Sequence, residues 1–451
     1  MISNAQPITS QPEASQHKAS QHKASQPKAS QHRARPWRPA VSTSAPGRRR
    51  ARAGVLAAGA VLAAGTGLAA CGSSVSHPAD AAPSAPAAVA LSAMSAVPIA
   101  DATWATVPMG AVTGPNEFWQ LFRLPAGSSR WALETPPDIA TNGAILLAGQ
   151  SGSGGGGAAG KAGSGADALT AGVRPSLDLS FSPITTTADG GHSWATLPPE
   201  SGLANQADAL AAAPDGHLIA LSQDHTADVF SGNGSWTTLT SEHSLATAPA
   251  GRSCALTGLT AAAYTPSGTL LLAGTCGRPG TAGIFSDTGG TWHQAGPALP
   301  AALAGRTVQV VRLTRIGTQD VALLEAGGPP DVSLFAAWTS DGGQHWALSP
   351  VLRLGGSYAV SASFGGSGGV AVVLAGNRGA TLAGPGNSWR QLPALPAGHA
   401  VTLALPAAGT IDALAADGGT LTAWQLRNGS ATWSKTQTIN VPIQYGSSSG
   451  S

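Results

Sequence analysis

A short polar turn closed by tryptophan recurs along this chain, and it limits the possible folds more than any other feature. Its fullest copy, Thr339-Ser340-Asp341-Gly342-Gly343-Gln344-His345-Trp346, sits between two short apolar runs. A chain that reverses over so few residues needs positive φ, which Gly342 and Gly343 supply without a Cβ penalty. Asp341 is placed to accept the turn's backbone N–H groups, and Trp346 opens the next strand as a large apolar anchor whose indole N–H needs a partner. Near copies are Ala188-Asp189-Gly190-Gly191-His192-Ser193-Trp194 and Ser286-Asp287-Thr288-Gly289-Gly290-Thr291-Trp292. Weaker ones end at Trp131, Trp236, Trp389 and Trp433.

Successive turn tryptophans lie 63, 42, 56, 54, 43 and 44 residues apart, and a four-stranded propeller blade takes about 40 to 50. The widest interval contains the glycine-rich stretch 152–165, which cannot pack and reads as an exposed loop. Paired apolar runs broken at residues 214–216, 266–268 and 365–369 read as hairpins. The expectation is an all-β chain: a single β-propeller over residues 90–445 with about seven four-stranded blades, six or eight being the alternatives. Residues 439–445 read as one more strand after the last tryptophan, expected near residues 90–122 so that the ring closes without a free edge.

The turn pattern resembles the Asp-box, or BNR, repeat of sialidase-like and Ycf48-like propellers. That resemblance makes Asp189, Asp287 and Asp341, with Trp194, Trp292 and Trp346, structural elements of the turns. His192 and His345 occupy variable positions in them and read as solvent-facing.

Of 24 Lys and Arg, ten precede Cys71 with a single acid, Glu13, which leaves 14 bases against 21 acids beyond it. A domain of net charge near −7 lacks the basic patch of a nucleic-acid-binding surface. Residues 1–47 form a polar, repeat-bearing leader expected to be disordered. Residues 48–70 join Arg48, Arg49, Arg50 and Arg52 to an Ala/Gly-rich apolar stretch, which reads as a secretory signal, and a transmembrane helix is the competing reading. The ending Leu68-Ala69-Ala70-Cys71 resembles the bacterial lipobox, which implies lipidation at Cys71. Residues 71–89 are a Ser/Pro/Ala tether, and 446–451 a disordered tail. The address that follows is export, with lipid anchoring to the outer face of the cytoplasmic membrane, or secretion. No other membrane contact is expected.

Cys254 and Cys276 flank the hairpin centred near Ser267 and are expected to form a structural disulfide, since an oxidising compartment favours one and a metal would want more ligands.

No nucleophile elbow, zinc-binding or phosphate-loop motif is present, and neither cofactor nor metal is expected. Two readings of function compete. The resemblance to photosystem assembly factors and sortilin-type receptors implies a binding or assembly scaffold, a monomer whose partner is an envelope protein or glycan. The resemblance to sialidases implies an exo-glycosidase. There Phe122-Arg123-Leu124-Pro125 would supply Arg123 for carboxylate recognition and Tyr358 would stand about where the nucleophile does. The first reading is preferred, because the remaining arginines and the Glu partner of the enzyme constellation have no recognisable counterparts.

Overall fold

The computed structural model describes residues 95–110, 117–136, 144–150, 168–174, 181–196, 203–205, 207–231, 235–328 and 330–441. The leader, signal, tether, Cys71, glycine-rich stretch and tail lie outside these residues.

Each blade is an antiparallel meander contiguous in the chain. Blade one is β1 (Ala96–Ile99), β2 (Ala102–Gly110), β3 (Glu117–Pro125) and β4 (Ala132–Leu133). Blade two is β5 (Ala144–Gln150), β6 (Ala168–Arg174), β7 (Phe181–Thr187) and β8 (Ala195–Thr196), with β9 (Leu203–Asn205) also on β7. Blade three is β10 (Ala207–Ala212), β11 (Leu218–Ser222), β12 (Thr226–Phe230) and β13 (Trp236–Ser241). Two short helices, α1 (Glu242–Thr247) and α2 (Pro249–Cys254), lead into blade four: β14 (Leu256–Tyr264), β15 (Leu270–Cys276), β16 (Gly283–Thr288) and β17 (Thr291–Gln294). Blade five is β18 (Val308–Ile316), β19 (Gln319–Ala326), β20 (Ser333–Thr339) and β21 (Ala347–Leu348), with β22 (Leu352–Arg353) on β20. Blade six is β23 (Ala359–Phe364), β24 (Val370–Leu374), β25 (Arg378–Leu382) and β26 (Arg390–Gln391). Blade seven is β27 (Ala400–Ala407), β28 (Thr410–Asp417), β29 (Thr420–Arg427) and β30 (Ser434–Asn440).

Strand composition follows position in the blade. Second strands such as β15 and β24 are buried along their whole length and carry unbroken apolar runs, because neighbouring blades cover both of their faces. Fourth strands such as β30 are mostly exposed and read Ser-Lys-Thr-Gln-Thr.

Seven apolar clusters fill the seven spaces between blades, from blades one and two round to blades seven and one. One turn tryptophan enters each cluster: Trp194, Trp236, Trp292, Trp346, Trp389, Trp433 and, between blades seven and one, Trp131. Four of them, Trp131, Trp194, Trp346 and Trp389, reach the blade before their own. Trp346 Nε1 donates to the Ala295 carbonyl at 2.7 Å, Trp389 Nε1 to Pro350 at 2.9 Å, and Trp194 meets Trp104 edge-on with centroids 6.4 Å apart. These four are therefore wedges that join blades, a role beyond that of strand anchor.

Of the closing strand expected over residues 439–445, residues 442–445 lie outside the described residues. Ile439 does not add a strand to blade one; it pairs with Leu421 inside blade seven. The gap is closed by packing: Val441 and Ile439 join Ala105, Val107 and Phe122 in one cluster. Polar bonds pin the seam. Trp131 Nε1 donates to Asp412 Oδ2 at 3.0 Å, Trp131 N donates to Gln437 Oε1 at 2.8 Å, and Gln437 Nε2 returns a bond to the Trp131 carbonyl at 2.9 Å.

Candidate functional site

In a four-stranded meander the turns after the first and third strands share one face of the ring. Both Thr-x-Asp-Gly-Gly turns lie there. Asp189 Oδ1 accepts from Ser193 N at 2.9 Å and from Thr187 Oγ1 at 2.9 Å, and Thr187 Oγ1 accepts from Gly191 N at 2.8 Å. Asp341 repeats this with Gln344 N and His345 N, both at 3.0 Å, Thr339 Oγ1 at 2.8 Å, and Thr339 accepting from Gly343 N at 3.0 Å. Hydrogen bonds from Ser193 hold the Asp189 carboxyl down at about 2, and the backbone and side-chain hydrogen bonds from His345 lower that of Asp341. Both acids are consumed by their turns. His192 and His345 do not merely face solvent: His192 Nδ1 contacts the Asp189 carbonyl at 2.8 Å and His345 Nδ1 contacts Asp341 Oδ2 at 2.6 Å.

The third copy differs. Asp287 has Phe285 where the other two have threonine, and Thr288 fills the first glycine position. It forms a two-residue hairpin in which Asp287 pairs with Trp292 and Thr288 with Thr291, around Gly289 (φ 62°) and Gly290 (φ 83°). Asp287 Oδ1 accepts from Gly290 N at 2.8 Å. The equivalence to Asp189 and Asp341 expected from the motif is therefore corrected to a shared spacing with a different backbone.

Cys254, at the end of α2, is bonded to Cys276, at the end of β15, with S–S 2.10 Å and both residues fully buried. This ties the helical connection to the blade that follows.

Arg123 sits on the third strand of blade one, away from the channel. Its guanidinium lies over Trp104 (5.8 Å), contacts Asp101 at 3.3 Å and abuts the Gly190 turn, in a pocket of about 360 Å³ between blades one and two. Tyr358, 55% exposed, precedes β23 of blade six and lines neither that pocket nor the channel. The pairing of Arg123 with Tyr358 in one site is thus not found.

The channel is walled by first strands of six blades, β1, β5, β10, β14, β18 and β23, around a cavity of about 150 Å³ that reaches Gly317 in the β18–β19 turn. Most of its lining residues are aliphatic, but polar groups, among them Asp208, Tyr264, Arg312 and Arg315, present about as much of the wall. Burial raises the Tyr264 phenol, with Asp215 and Asp287 adding to the effect, and lowers Arg312 to about 10. Arg315 is lowered by burial too, opposed by the Asp320 charge. Asp320, paired across β18 and β19 with Arg315, is fully buried with neither carboxyl oxygen hydrogen-bonded, and burial pushes it up to about 7 against the pull of Arg315.

Sequence reasoning missed Arg312, Arg315 and Asp320. The available signal was a pair of arginines inside an otherwise apolar run, in a chain only 10% charged. It also missed Thr187 and Thr339, two residues before each box aspartate.

Fold and site together define a seven-bladed β-propeller with an open channel. No protein-family model and no curated protein matches the chain. Among solved structures it is similar to a putative 6-phosphogluconolactonase from Bacteroides uniformis, at 12% identity over 76% of this chain and 98% of that one, with TM-score 0.45. It is also similar to YCF48 from Cyanidioschyzon merolae (12% identity, 74% and 94% covered, TM-score 0.41). A third is the β-propeller domain of the Trilobed protease from Pyrococcus furiosus (8%, 75% and 93%, TM-score 0.40). At these identities the likeness concerns the fold alone.

Proposed function

We propose that the propeller is a non-catalytic binding or assembly scaffold that engages its partner, an envelope protein or glycan, at the mouth of the channel. Lipid on Cys71 would hold it at the outer face of the cytoplasmic membrane. The observation that carries this reading is a division of labour. The turn acids and tryptophans are engaged in holding turns and blades together, whereas the channel stays open and presents Arg312 and Arg315 from its wall.

Photo-cross-linking tests it. A cross-linker at exposed Thr318, in the turn at the channel mouth, should capture an envelope component, and one at exposed Arg278, on the opposite face, should not. Capture from Arg278 alone, or from neither, refutes the reading. A fluorogenic sialoside assay addresses the glycosidase alternative: no turnover is expected, and turnover abolished by Arg123→Ala would replace the scaffold with an enzyme. Loss of lipid labelling in Cys71→Ala is the check on the anchor.

A further inference from the structure

The hollow between blades one and two, about 360 Å³, is larger than the channel cavity of about 150 Å³. Only the former reaches the range of small-molecule sites, about 300–1,000 Å³. It lies where the β1–β2 turn meets the Asp189-Gly190 turn of blade two, and Arg123 projects into it from β3. The Arg123 side chain is 12% exposed, and its Nη2 donates to Asp101 Oδ1 at 3.3 Å. That is its one hydrogen bond to a described residue, and its buried Nε has no partner. A guanidinium carries five N–H donors, so most of its capacity is unused. Its position is nevertheless fixed. The Trp104 ring lies 5.8 Å from Cζ, and a Cβ on Gly190 would come within 2.8 Å of the same atom.

Asp101 is 76% exposed and is held over Arg123 by a strained turn. Ile99 pairs with Ala102 across it, and Ala100 takes φ 59°, a left-handed conformation that is unfavourable for a residue with a Cβ. Strain of this kind persists where the surroundings impose it, and it concentrates at ligand sites. Because Asp101 matches the charge of Arg123, the pair as a whole is neutral and does not select an ion. What it offers is unused donors beside unused acceptors. Vicinal hydroxyl groups, each a donor and an acceptor, complement that arrangement. Ile99, Trp104 and Leu169 supply apolar wall for the C–H face of a ring.

We propose that this inter-blade hollow binds a neutral sugar, with vicinal hydroxyls on Arg123 and Asp101 and the C–H face of the ring against the apolar wall. The site is separate from the channel mouth and does not rest on the partner binding there.

Saturation-transfer NMR titration of the full-length protein with the methyl α-glycosides of glucose, galactose, mannose and fucose tests the assignment, with the methyl glycoside of N-acetylneuraminate as the anionic comparator. At least one neutral glycoside should saturate at millimolar concentration and bind more tightly than the anionic one. Asp101→Ala should weaken the neutral glycoside about ten-fold, as expected for a hydrogen bond to a charged group, while tightening the anionic one. Arg123→Gln should weaken both, and Arg353→Gln, outside the hollow, should change neither. Circular dichroism establishes that each variant is folded. Should Arg123→Gln unfold, Asp101→Ala decides alone, since its side chain is exposed. No saturation by any of the four, tighter binding of the anionic glycoside to the parent, or a folded Asp101→Ala that binds the neutral glycoside like the parent overturns the proposal. Glycoside binding without capture at Thr318 leaves this site standing and removes the channel-mouth reading, and capture without glycoside binding does the reverse.

Discussion

Trp131→Phe isolates the polar lock of the ring. The substitution keeps an aromatic ring at a position only 3% exposed but removes the Nε1 donor that Asp412 Oδ2 accepts at 3.0 Å. Asp412 is itself 4% exposed and is left with Gln425 Nε2 at 3.3 Å. Losing a hydrogen bond to a buried charged group costs about 1.5–3 kcal/mol, and the volume lost with the smaller ring adds about 1 kcal/mol. The expected destabilisation is about 2.5–4 kcal/mol, set by those two terms. Burial already raises the Asp412 carboxyl, and the Trp131 and Gln425 bonds oppose that rise. A raised folded-state carboxyl gives stability that is full below the unfolded value and falls as pH climbs through the folded one. Without the indole N–H the folded value climbs further, so the penalty should be larger at pH 8 than at pH 5. Urea unfolding of the full-length protein followed by far-ultraviolet circular dichroism, at both pH values, measures it. A loss under 0.5 kcal/mol, or one independent of pH, would show that the seam is held by apolar packing and that the Trp131–Asp412 bond is dispensable.

Gly343→Ala should be more damaging than Gly290→Ala. Both have positive φ, which costs a non-glycine residue about 1–2 kcal/mol, but a Cβ on Gly343 would lie 2.7 Å from the Ala295 carbonyl oxygen, whereas Gly290 has nothing within 4 Å. Equal losses on thermal denaturation would remove the inter-blade contact from the account. Asp320→Asn should stabilise the protein above pH 7 and leave it nearly unchanged near pH 4, because a carboxyl raised to about 7 in the folded state progressively costs stability once pH exceeds the unfolded value. Its upper bound is about 4 kcal/mol at 1.36 kcal/mol per unit, and a pH-independent effect would contradict it. Replacing Cys254 and Cys276 together with serine opens a loop of sequence separation 22 and should cost about 3 kcal/mol in chain entropy. Unchanged denaturant midpoints would place the stabilisation elsewhere.

Some of the candidate site was legible in the chain and some was not, and the dividing line is the distance over which residues interact. Asp189 and Asp341 could be assigned to turn-holding because their partners lie within four residues. Phe285 was a local warning that the third copy would fold differently, since it removes the hydroxyl that Thr187 and Thr339 contribute. Arg123 misled because a four-residue likeness carries no information on which strand of the blade it occupies. On β3, outside the channel, its guanidinium has Trp104 and Asp101 for company. Arg312 and Arg315 were invisible as a pair, because nothing local says that β18 faces a channel walled by five other first strands.

The amino-acid sequence by itself determined the hairpins and the Trp-closed turns and, through their spacing, narrowed the ring to about seven blades, since backbone reversal and strand alternation depend on residues a few positions apart. Only the tertiary structure decided that Trp131, Trp194, Trp346 and Trp389 reach into the preceding blade, that Ile439 and Val441 pack against blade one, and that Arg312 and Arg315 both line the channel. Those outcomes join residues up to 306 positions apart, as between Trp131 and Gln437. Their pairing depends on how the twisted blades pack against one another, a condition that no short stretch of chain expresses.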